Sequence, residues 1–239
     1  MIIHKLLLRW FTHRDDFVFY TMQAQDSIRW IEKSGFNLKP GIEVLDLGCG
    51  HGVFGSEIIK KGCKVTFADQ DNYLLSEFKS SRFLKINLDQ DDFASLGKYD
   101  LVIFSNVFEH LDKPERFIAE CSKLLKDDGK LYLSWTNWLS PFGGHDFTPF
   151  HYFGPRFGRW LHHKVTGKWS HHVPFAGLYL TYIGRTLKMI RHTPQLEIWR
   201  MAARFYPEFS FLLKIPGIRE FLTWNCALLI RKKATKVLP

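Results

Sequence analysis

The sequence predicts an α/β protein built on a doubly wound, mostly parallel sheet. Short apolar runs alternate with helical patterns from residue 42 to residue 135, which is the rhythm of βαβ units. Residues 101–104 are all apolar, as expected for a central parallel strand covered on both faces. A glycine-rich turn joins the first strand to the helix after it. A chain of 239 residues, 46% hydrophobic and 16% aromatic, can bury one such core.

The glycine-rich turn follows the first predicted strand, residues 42–45. That run ends at Asp46, and Gly48, Gly50 and Gly52 then alternate with single residues. Glycine lets the backbone turn sharply and approach a ligand closely, and the amides at the start of the next helix face the turn. Alone, such a turn fits a dinucleotide, a phosphate or a tight corner. Its spacing, however, differs from the G-x-G-x-x-G typical of dinucleotide sites.

The other elements of this region follow from periodicity and capping signals. Gly62 ends the helix after the turn, and Asp112 with Glu115 forms a capping box for a later helix. We expect, in order, a helix over residues 17–34, strands over 42–45 and 64–68, a helix over 72–80, strands over 83–86 and 100–105, a helix from Asp112 to near Gly129, and a strand over 130–135. Asp69 directly follows the second strand.

The rhythm breaks after residue 136. An aromatic loop rich in His and Gly begins there, a basic stretch follows, and a helix is expected over 179–190. Two extended runs, 196–205 and 223–231, close the chain. The expected divisions are a helical N-terminal cap (1–35), a core (36–138), an aromatic and basic insertion that covers the substrate (139–193), a terminal β-hairpin (194–233) and a disordered tail (234–239).

The acid, the G-x-G-x-G turn and Asp69 together resemble the class I S-adenosylmethionine (SAM)-dependent methyltransferases. The resemblance covers residues 42–135, and a structural glycine turn without cofactor is the alternative. It implies a Rossmann-like sheet of seven strands with an antiparallel last strand, SAM as cofactor and S-adenosylhomocysteine as product. In that family a helix before the first strand packs over the cofactor, so Tyr20 or Gln23 could touch SAM. We favour core packing as the reason for that aromatic stripe.

The same resemblance assigns the cofactor contacts. In that family the glycine turn underlies the methionine part of SAM, and the acid after the second strand, here Asp69, holds the ribose hydroxyls. Asn87 would meet the adenine amino group and Leu88 would stack on the ring, with Asp89 as the alternative if the register shifts. The expected cofactor-binding residues are Asp46, Gly48, Gly50, Gly52, Asp69, Gln70, Asn87, Leu88, Ser105 and Asn106.

Methyl transfer to a hydroxyl needs alignment of acceptor and methyl group, and removal of a proton. His110 lies just beyond the fourth strand, and a similar Glu-His pattern occurs there in small-molecule methyltransferases resembling those of quinone biosynthesis. His110 and His145 are the candidate catalytic residues, with Asp146 and His151 as rival bases on the loop. Packing behind the site is the alternative role for His110.

The 11 histidines also raise the question of a metal. His145 with Asp146 and His151 could supply ligands, as could the pairs at 162–163 and 171–172. Adjacent histidines on regular backbone point in different directions, and no H-x-x-x-H or C-x-x-C frame is present. We therefore assign no metal from the sequence.

The charge distribution indicates what the C-terminal part could contact. Residues 139–239 hold 15 Lys+Arg and 4 Asp+Glu, whereas residues 1–138 hold 18 and 20. A solvated basic face and attraction to phosphate-bearing or anionic membrane surfaces fit equally well. No apolar run reaches the ~20 residues of a spanning helix, no signal peptide is evident, and the four cysteines lack metal spacing. We expect reduced, buried thiols and a cytoplasmic protein, with peripheral membrane contact as the alternative location.

The preferred function is methyl transfer to an oxygen of a small molecule, a sugar or a lipid-linked glycan. The runner-up is an RNA or protein methyltransferase. Two observations argue against nucleic acid as the methyl acceptor: residues 105–108 lack the Asn/Asp-Pro-Pro-aromatic motif of base-amine methylation, and no Cys stands there or after the fifth strand to attack a pyrimidine. A non-catalytic SAM-binding subunit that acts through a partner is the alternative from another class. The sequence leaves the oligomeric state open.

Overall fold

The computed structural model describes residues 2–13 and 17–233, so the tail expected over 234–239 lies outside the described residues. Its helices and strands are α1 (Ile3–His13), α2 (Phe17–Lys33), β1 (Glu43–Leu47), α3 (Val53–Ile59), β2 (Lys64–Asp69), β3 (Phe83–Lys85), β4 (Tyr99–Ser105), α4 (Pro114–Glu120), β5 (Leu125–Thr136), α5 (Pro155–Thr166), β6 (Val173–Pro174), β7 (Gly177–Leu178), α6 (Ile183–His192), β8 (Leu196–Ala203), α7 (Ile218–Leu222) and β9 (Asn225–Lys232).

Seven strands form one sheet in the order β3-β2-β1-β4-β5-β9-β8. Strands β1 to β5 are parallel, and β9 runs antiparallel to both β5 and β8. The predicted doubly wound sheet with an antiparallel last strand is therefore confirmed. Because β1 and β4 are neighbours although β2 and β3 lie between them in sequence, the chain reverses direction across the sheet beside β1. This is where sheets of this kind bind ligands.

The central strands are buried on both faces, as the sequence predicts. Val102 and Phe104 of β4 face a core that includes α4 and α6, whereas Leu101 and Ile103 face a second core beneath α2 and α3. Phe117 of α4 stacks on Phe104 with ring centroids 4.0 Å apart. Both faces of β4 are therefore covered by helices, which explains its continuous apolar run.

Two helices differ from expectation. The helix expected over residues 72–80 is only a 3-10 turn, Ser76–Phe78. The Asn72 side chain accepts a hydrogen bond from the Leu74 amide at 3.2 Å, and such a local turn competes with helix formation. The predicted Asp112 cap is also wrong, because α4 begins at Pro114, whose fixed φ suits a first helical position. That helix ends at Glu120, and β5 starts five residues earlier than expected, at Leu125.

The segment after β5 contains a helix that periodicity did not reveal. Helix α5 lies in the basic stretch, with Pro155 at its first turn and Gly167 at its C-cap in the left-handed region, φ 70°. These are ordinary start and stop signals. Helix α6, expected over 179–190, begins at Ile183. All four cysteines are free and buried, which agrees with the expected reduced thiols.

Candidate functional site

The glycine-rich turn lies between β1 and α3 and is shaped by close contacts. A side chain at Gly48 would place its Cβ 2.5 Å from Val107. Gly50 adopts φ 49°, and the space where its Cβ would project holds no atom within 4 Å. The turn therefore presents bare backbone at the ligand edge of the sheet.

The sequence placed Asp46 beyond the first strand, but this prediction is wrong. Asp46 lies inside the strand, because β1 extends to Leu47. Its side chain is almost fully buried and accepts a hydrogen bond from the Gly55 amide in the first turns of α3 at 2.8 Å. Burial raises the pKa of Asp46 to about 7, although the bond from Gly55 opposes the shift. The carboxyl group thus ties β1 to α3 beneath the turn.

Asp69 is the last residue of β2, where the sequence places it. Its two carboxylate oxygens accept hydrogen bonds from the Gly50 amide at 2.8 Å and from the Gln70 amide at 2.7 Å. Asp69 therefore fixes the tip of the glycine turn and faces the place where that turn meets β2. Charge-assisted bonds of this kind are stronger than neutral ones.

A cavity of about 640 Å³ opens above the turn, within the size range of ligand pockets. Its wall contains five predicted residues and several from α2 and α3. The lining includes Asp46, Gly48, Gly50, Ser105, Asn106, Tyr20, Gln23, Phe54 and Arg204. Tyr20 and Gln23 thus lie on the wall, whereas Ile28 and Ile31 of the same helix pack in the core, as the packing interpretation predicts. The bare glycine backbone and the cavity volume fit a nucleoside cofactor of the size of SAM.

Five predicted cofactor residues do not line this cavity. Gly52 and Asp69 support the turn from behind, and Gln70 is exposed beside Asp69. The Asn87 side chain accepts a bond from the Asp89 amide at 3.0 Å, and Leu88 packs against the main core. The assignment of these residues to SAM, and to its adenine ring in particular, stays a prediction.

Asn106 has an unusual backbone conformation, φ 56°, directly after β4. Its side chain donates to Gln23 Oε1 at 3.1 Å and accepts from Arg204 at 3.1 Å and from Asn225 at 2.8 Å. Left-handed non-glycine residues cost free energy and cluster at functional sites. These three bonds hold Asn106 in place at the cavity wall.

Arg204, immediately after β8, is a cavity residue that the sequence did not reveal. It is 5% exposed and donates to Ser27 Oγ at 3.0 Å, to Asn106 at 3.1 Å and to Ser134 Oγ at 3.2 Å. Among the described residues, no carboxylate forms an ion pair with it. A buried guanidinium that bonds only to neutral groups favours an anionic ligand group in the cavity it lines.

A second, smaller pocket of about 200 Å³ adjoins the first and shares Tyr20, Gln23 and Asn106 with it. Its other walls come from the segment after β5 and from the last strands. They include His110, His145, Asp146, His172, Phe142 and Asn225. The shared wall means that ligands in the two pockets would lie side by side, as a methyl donor and its acceptor must.

Both candidate catalytic residues line this second pocket. The His110 and His145 rings lie 5.5 Å apart, although 35 residues separate them in sequence. Burial, then the neighbouring His172 and His110, lower the pKa of His145 well below its ordinary value, so its ring is neutral. The nearby carboxylate of Asp146 opposes this shift. The structure therefore brings the two predicted residues to one place.

His172 is the pocket residue that sequence reasoning missed as a base. Its Nδ1 lies 2.9 Å from Asp146 Oδ1, and Ser170 Oγ and the His171 amide also donate to Asp146. Burial acts to raise the pKa of Asp146, but these three bonds outweigh it and hold the pKa well below the ordinary value. The Asp146 carboxylate accepts from Nδ1 of His172, so the lone pair of that ring lies on Nε2.

The remaining rival base lies elsewhere. His151 is 1% exposed, donates through Nε2 to the Ser140 carbonyl oxygen at 3.0 Å, and does not line the pocket. Burial lowers its pKa. His151 therefore packs behind the loop, and the Asp146 carboxylate is bonded to His172.

This sheet order and this cofactor turn define a class I SAM-dependent methyltransferase. A family model described as a methyltransferase domain matches residues 16–199, most of the chain, and the chain belongs to that family. SAM is its cofactor.

Similar proteins agree with this family. An uncharacterized methyltransferase of Mycolicibacterium vanbaalenii is 28% identical over 226 residues, which cover 89% of this chain and 87% of that protein. A ubiquinone biosynthesis O-methyltransferase of Coxiella burnetii is 33% identical over 117 residues, covering 46% of this chain and 49% of that protein.

Among solved structures, a SAM-dependent methyltransferase from Mesorhizobium loti has a TM-score of 0.58 at 16% identity, covering 87% of this chain and 98% of that chain. Magnesium protoporphyrin IX methyltransferase from Synechocystis with bound SAH has a TM-score of 0.54 at 19% identity, covering 90% and 85%. At these identities the structural likeness establishes the fold.

The first prediction concerns Asp69. Asp69→Ala removes the acceptor of the Gly50 amide and the carboxylate assigned to the ribose hydroxyls. We expect SAM affinity, measured by isothermal titration, to fall by about 10- to 100-fold, the value of a hydrogen bond to a charged group. Asp71→Ala is the matched control, because that exposed carboxylate in the same loop pairs with Lys85 instead. Unchanged affinity in Asp69→Ala would remove the ribose assignment.

The second prediction concerns Arg204, which we expect to hold the carboxylate of the methionine part of SAM. Arg204→Met should weaken SAM binding by about tenfold or more, because a charge-assisted bond is lost. Methylthioadenosine lacks that carboxylate, and its affinity should change little. Arg200→Met, at an exposed arginine on β8, is the control. Equal losses for both ligands would mean that Arg204 only supports the wall.

Proposed function

We propose that this protein transfers the methyl group of SAM to an oxygen of a small molecule or of a lipid-linked acceptor held in the second pocket. The observation that carries the proposal is the pair of pockets that share Tyr20, Gln23 and Asn106, together with the cluster of three histidines that lines the second pocket. Bound SAM supplies a methyl group already activated by a sulfonium. The chain must then align the acceptor and remove its proton.

The proton acceptor in this proposal is His172. The bond from Nδ1 to Asp146 orients the ring and puts its lone pair on Nε2, the arrangement that a general base needs. His110 and His145, the sequence candidates, stay proposed members of the catalytic pocket beside it. Their rings lie 5.8 and 4.6 Å from that of His172. A small, partly buried pocket of about 200 Å³ favours a small acceptor group over a folded RNA or protein segment.

The similarity to a ubiquinone biosynthesis O-methyltransferase supports oxygen as the acceptor atom, although it covers 46% of this chain. Oxygen also fits the pocket chemistry, because a hydroxyl must lose a proton during transfer and an Asp-paired imidazole can accept it. A non-catalytic SAM-binding role accounts less well for an imidazole that is paired with a carboxylate beside the cofactor cavity.

The insertion also supports a position at a membrane surface. Between residues 139 and 193 the chain has seven Lys+Arg and a single acid, Asp146. The outer face of α5 exposes Phe157 and Trp160, which stack at 5.3 Å, and Lys164 lies 5.8 Å from the Trp160 ring. Exposed aromatic rings among basic side chains are typical of helices that lie in a lipid interface. No helix in the described part of the chain is long and apolar enough to cross a membrane.

Helix α5 and the acceptor pocket belong to the same segment. His145 and Asp146 precede α5, and His172 follows it. A membrane that contacts the α5 aromatic face would therefore lie against the segment that builds the pocket. This arrangement favours an acceptor anchored in or delivered from an anionic membrane, and a cytoplasmic, membrane-peripheral enzyme.

The third prediction tests the acceptor class and the base. Enzyme incubated with methyl-labelled SAM should label the lipid or small-molecule fraction of a cell extract. With the labelled acceptor purified, His172→Ala should lower kcat by about 100-fold or more with little change in KM, as expected for a general base. Exposed His171 provides the control variant His171→Ala, because only its backbone amide bonds to Asp146.

Label confined to RNA or protein would overturn the acceptor class. A kcat for His172→Ala equal to that of His171→Ala would overturn the assigned base while leaving the methyltransferase intact.

The fourth prediction tests membrane contact. The protein should sediment with vesicles that contain phosphatidylglycerol and much less with pure phosphatidylcholine, and added salt should release it. Phe157→Ser with Trp160→Ser should weaken this binding by about tenfold, because the aromatic surface that would enter the lipid interface is lost. Phe209→Ser with Phe211→Ser, a second exposed aromatic pair, is the matched control. Equal binding to both vesicle types would contradict the proposal.

A further inference from the structure

Glu109 is a buried acid with an unsatisfied oxygen. It lies in the turn after β4 and is 0% exposed. One carboxylate oxygen, Oε1, accepts a bond from the Thr136 amide at 2.9 Å, whereas Oε2 is buried without a hydrogen-bond partner. In the described residues no Lys or Arg pairs with this carboxylate. Buried polar groups are nearly always satisfied, so this oxygen needs an explanation.

Two imidazoles next to Glu109 also have nitrogens available for a ligand. His145 Nε2 is buried without a partner. His110 Nδ1 lies 2.5 Å from the Gly177 carbonyl oxygen, which only accepts, so Nδ1 carries the proton and Nε2 carries the lone pair. A carbonyl bond at one ring nitrogen is the usual way in which proteins orient a metal-ligating histidine.

These three side chains converge on one point. One ligand atom from each of Glu109, His110 and His145 lies within 4.8 Å of the other two. We propose that they form a binding site for a divalent transition-metal ion, facing the acceptor pocket. Two imidazoles and one carboxylate, with further positions open, suit Zn²⁺ or a neighbouring first-row ion better than Mg²⁺ or Ca²⁺. The presence of the metal site is inferred from these three residues alone. The part that the ion would play in catalysis rests on the proposed function.

The geometry requires a modest closure of the side chains. Bonds of about 2.0–2.2 Å to a tetrahedral ion place ligand atoms about 3.4 Å apart, somewhat closer than the upper limit found here. A cation would satisfy the free oxygen of Glu109 and the free nitrogen of His145 together. The alternative is a direct hydrogen bond between the carboxylate and an imidazole, which none of the described contacts of Glu109 provides.

The sequence pointed to no metal, and the ligand set explains why. Glu109 and His110 are adjacent, whereas His145 comes 35 residues after His110 in the sequence, with β5 between them along the chain. The sets weighed from the sequence are not the set that converges: Asp146 bonds to His172, and His151 bonds to Ser140 instead. Only the folding of the segment after β5 back over the sheet edge brings His145 to Glu109.

At this place the ion would act on the acceptor. An open coordination position beside the pocket would take the acceptor oxygen and lower the pKa of its hydroxyl. The hydroxyl proton would pass to Nε2 of His172, which does not belong to the ligand set. His110 and His145 would then act as ligands, and His172 with Asp146 as the base.

The test measures the metal directly. Metal-free protein is titrated with Zn²⁺ alone by calorimetry, and Co²⁺ loading is followed by visible absorption. We expect one Zn²⁺ per chain, and about tenfold or greater weakening in Glu109→Gln and in His145→Ala. His171→Ala and His192→Ala remove exposed imidazoles and serve as controls for weak surface binding. SAM affinity and thermal unfolding are measured on each variant to show that it folds.

The outcomes separate this inference from the proposed function. Zn²⁺ affinity that is unchanged in both Glu109→Gln and His145→Ala, with SAM binding retained, would overturn the metal site. Failure of wild-type protein to bind Zn²⁺ would do the same. In either case methyl transfer by the metal-free enzyme would leave the methyltransferase in place. A tight, single Zn²⁺ that depends on Glu109 and His145 would establish the site even if the acceptor proved not to be an alcohol.

Discussion

The bond between the Asp69 carboxylate and the Gly50 amide is the interaction on which the cofactor site depends. It joins the end of β2 to the tip of the turn after β1 across 2.8 Å. The turn itself has no side chains at Gly48 and Gly50 to hold it, so an outside acceptor must fix its backbone. Asp46 performs the same task from below through Gly55. Two acids on neighbouring strands thus shape one bare surface.

A second network connects this surface to the acceptor pocket. Asn106 occupies the shared wall and bonds to Gln23 in α2, to Arg204 directly after β8 and to Asn225 in β9. Because these elements are distant in sequence, the wall forms only when the sheet is complete. The antiparallel β9 therefore contributes to the site as well as to the edge of the sheet. The left-handed backbone of Asn106 is held by contacts from three sides.

The sequence predicted the sheet and the glycine turn because both depend on patterns among residues that are close together in the chain. Continuous apolar residues identify β4, and glycine spacing identifies the turn. It misplaced the 72–80 helix because Asn72 bonds to its own neighbour, which periodicity does not record. The sequence could not identify Arg204, because nothing in a strand pattern shows that a basic residue is buried. It could not identify His172 either, because two adjacent histidines do not show which of them has a carboxylate partner. Whether Asn87 and Leu88 meet adenine stays a prediction.

The two pockets have different origins, and this difference explains how one fold can serve many acceptors. The cofactor cavity is built mainly from the sheet edge and α2, whose positions are fixed by the core. The acceptor pocket takes His145, Asp146 and His172 from the connecting stretches on either side of α5, outside the α-helices of the segment after β5. Loops tolerate change better than the strands that support them. Substitutions in this segment would therefore change the proposed acceptor pocket without disturbing the Asp69–Gly50 bond, and in that proposal the acceptor can change while the methyl donor stays the same.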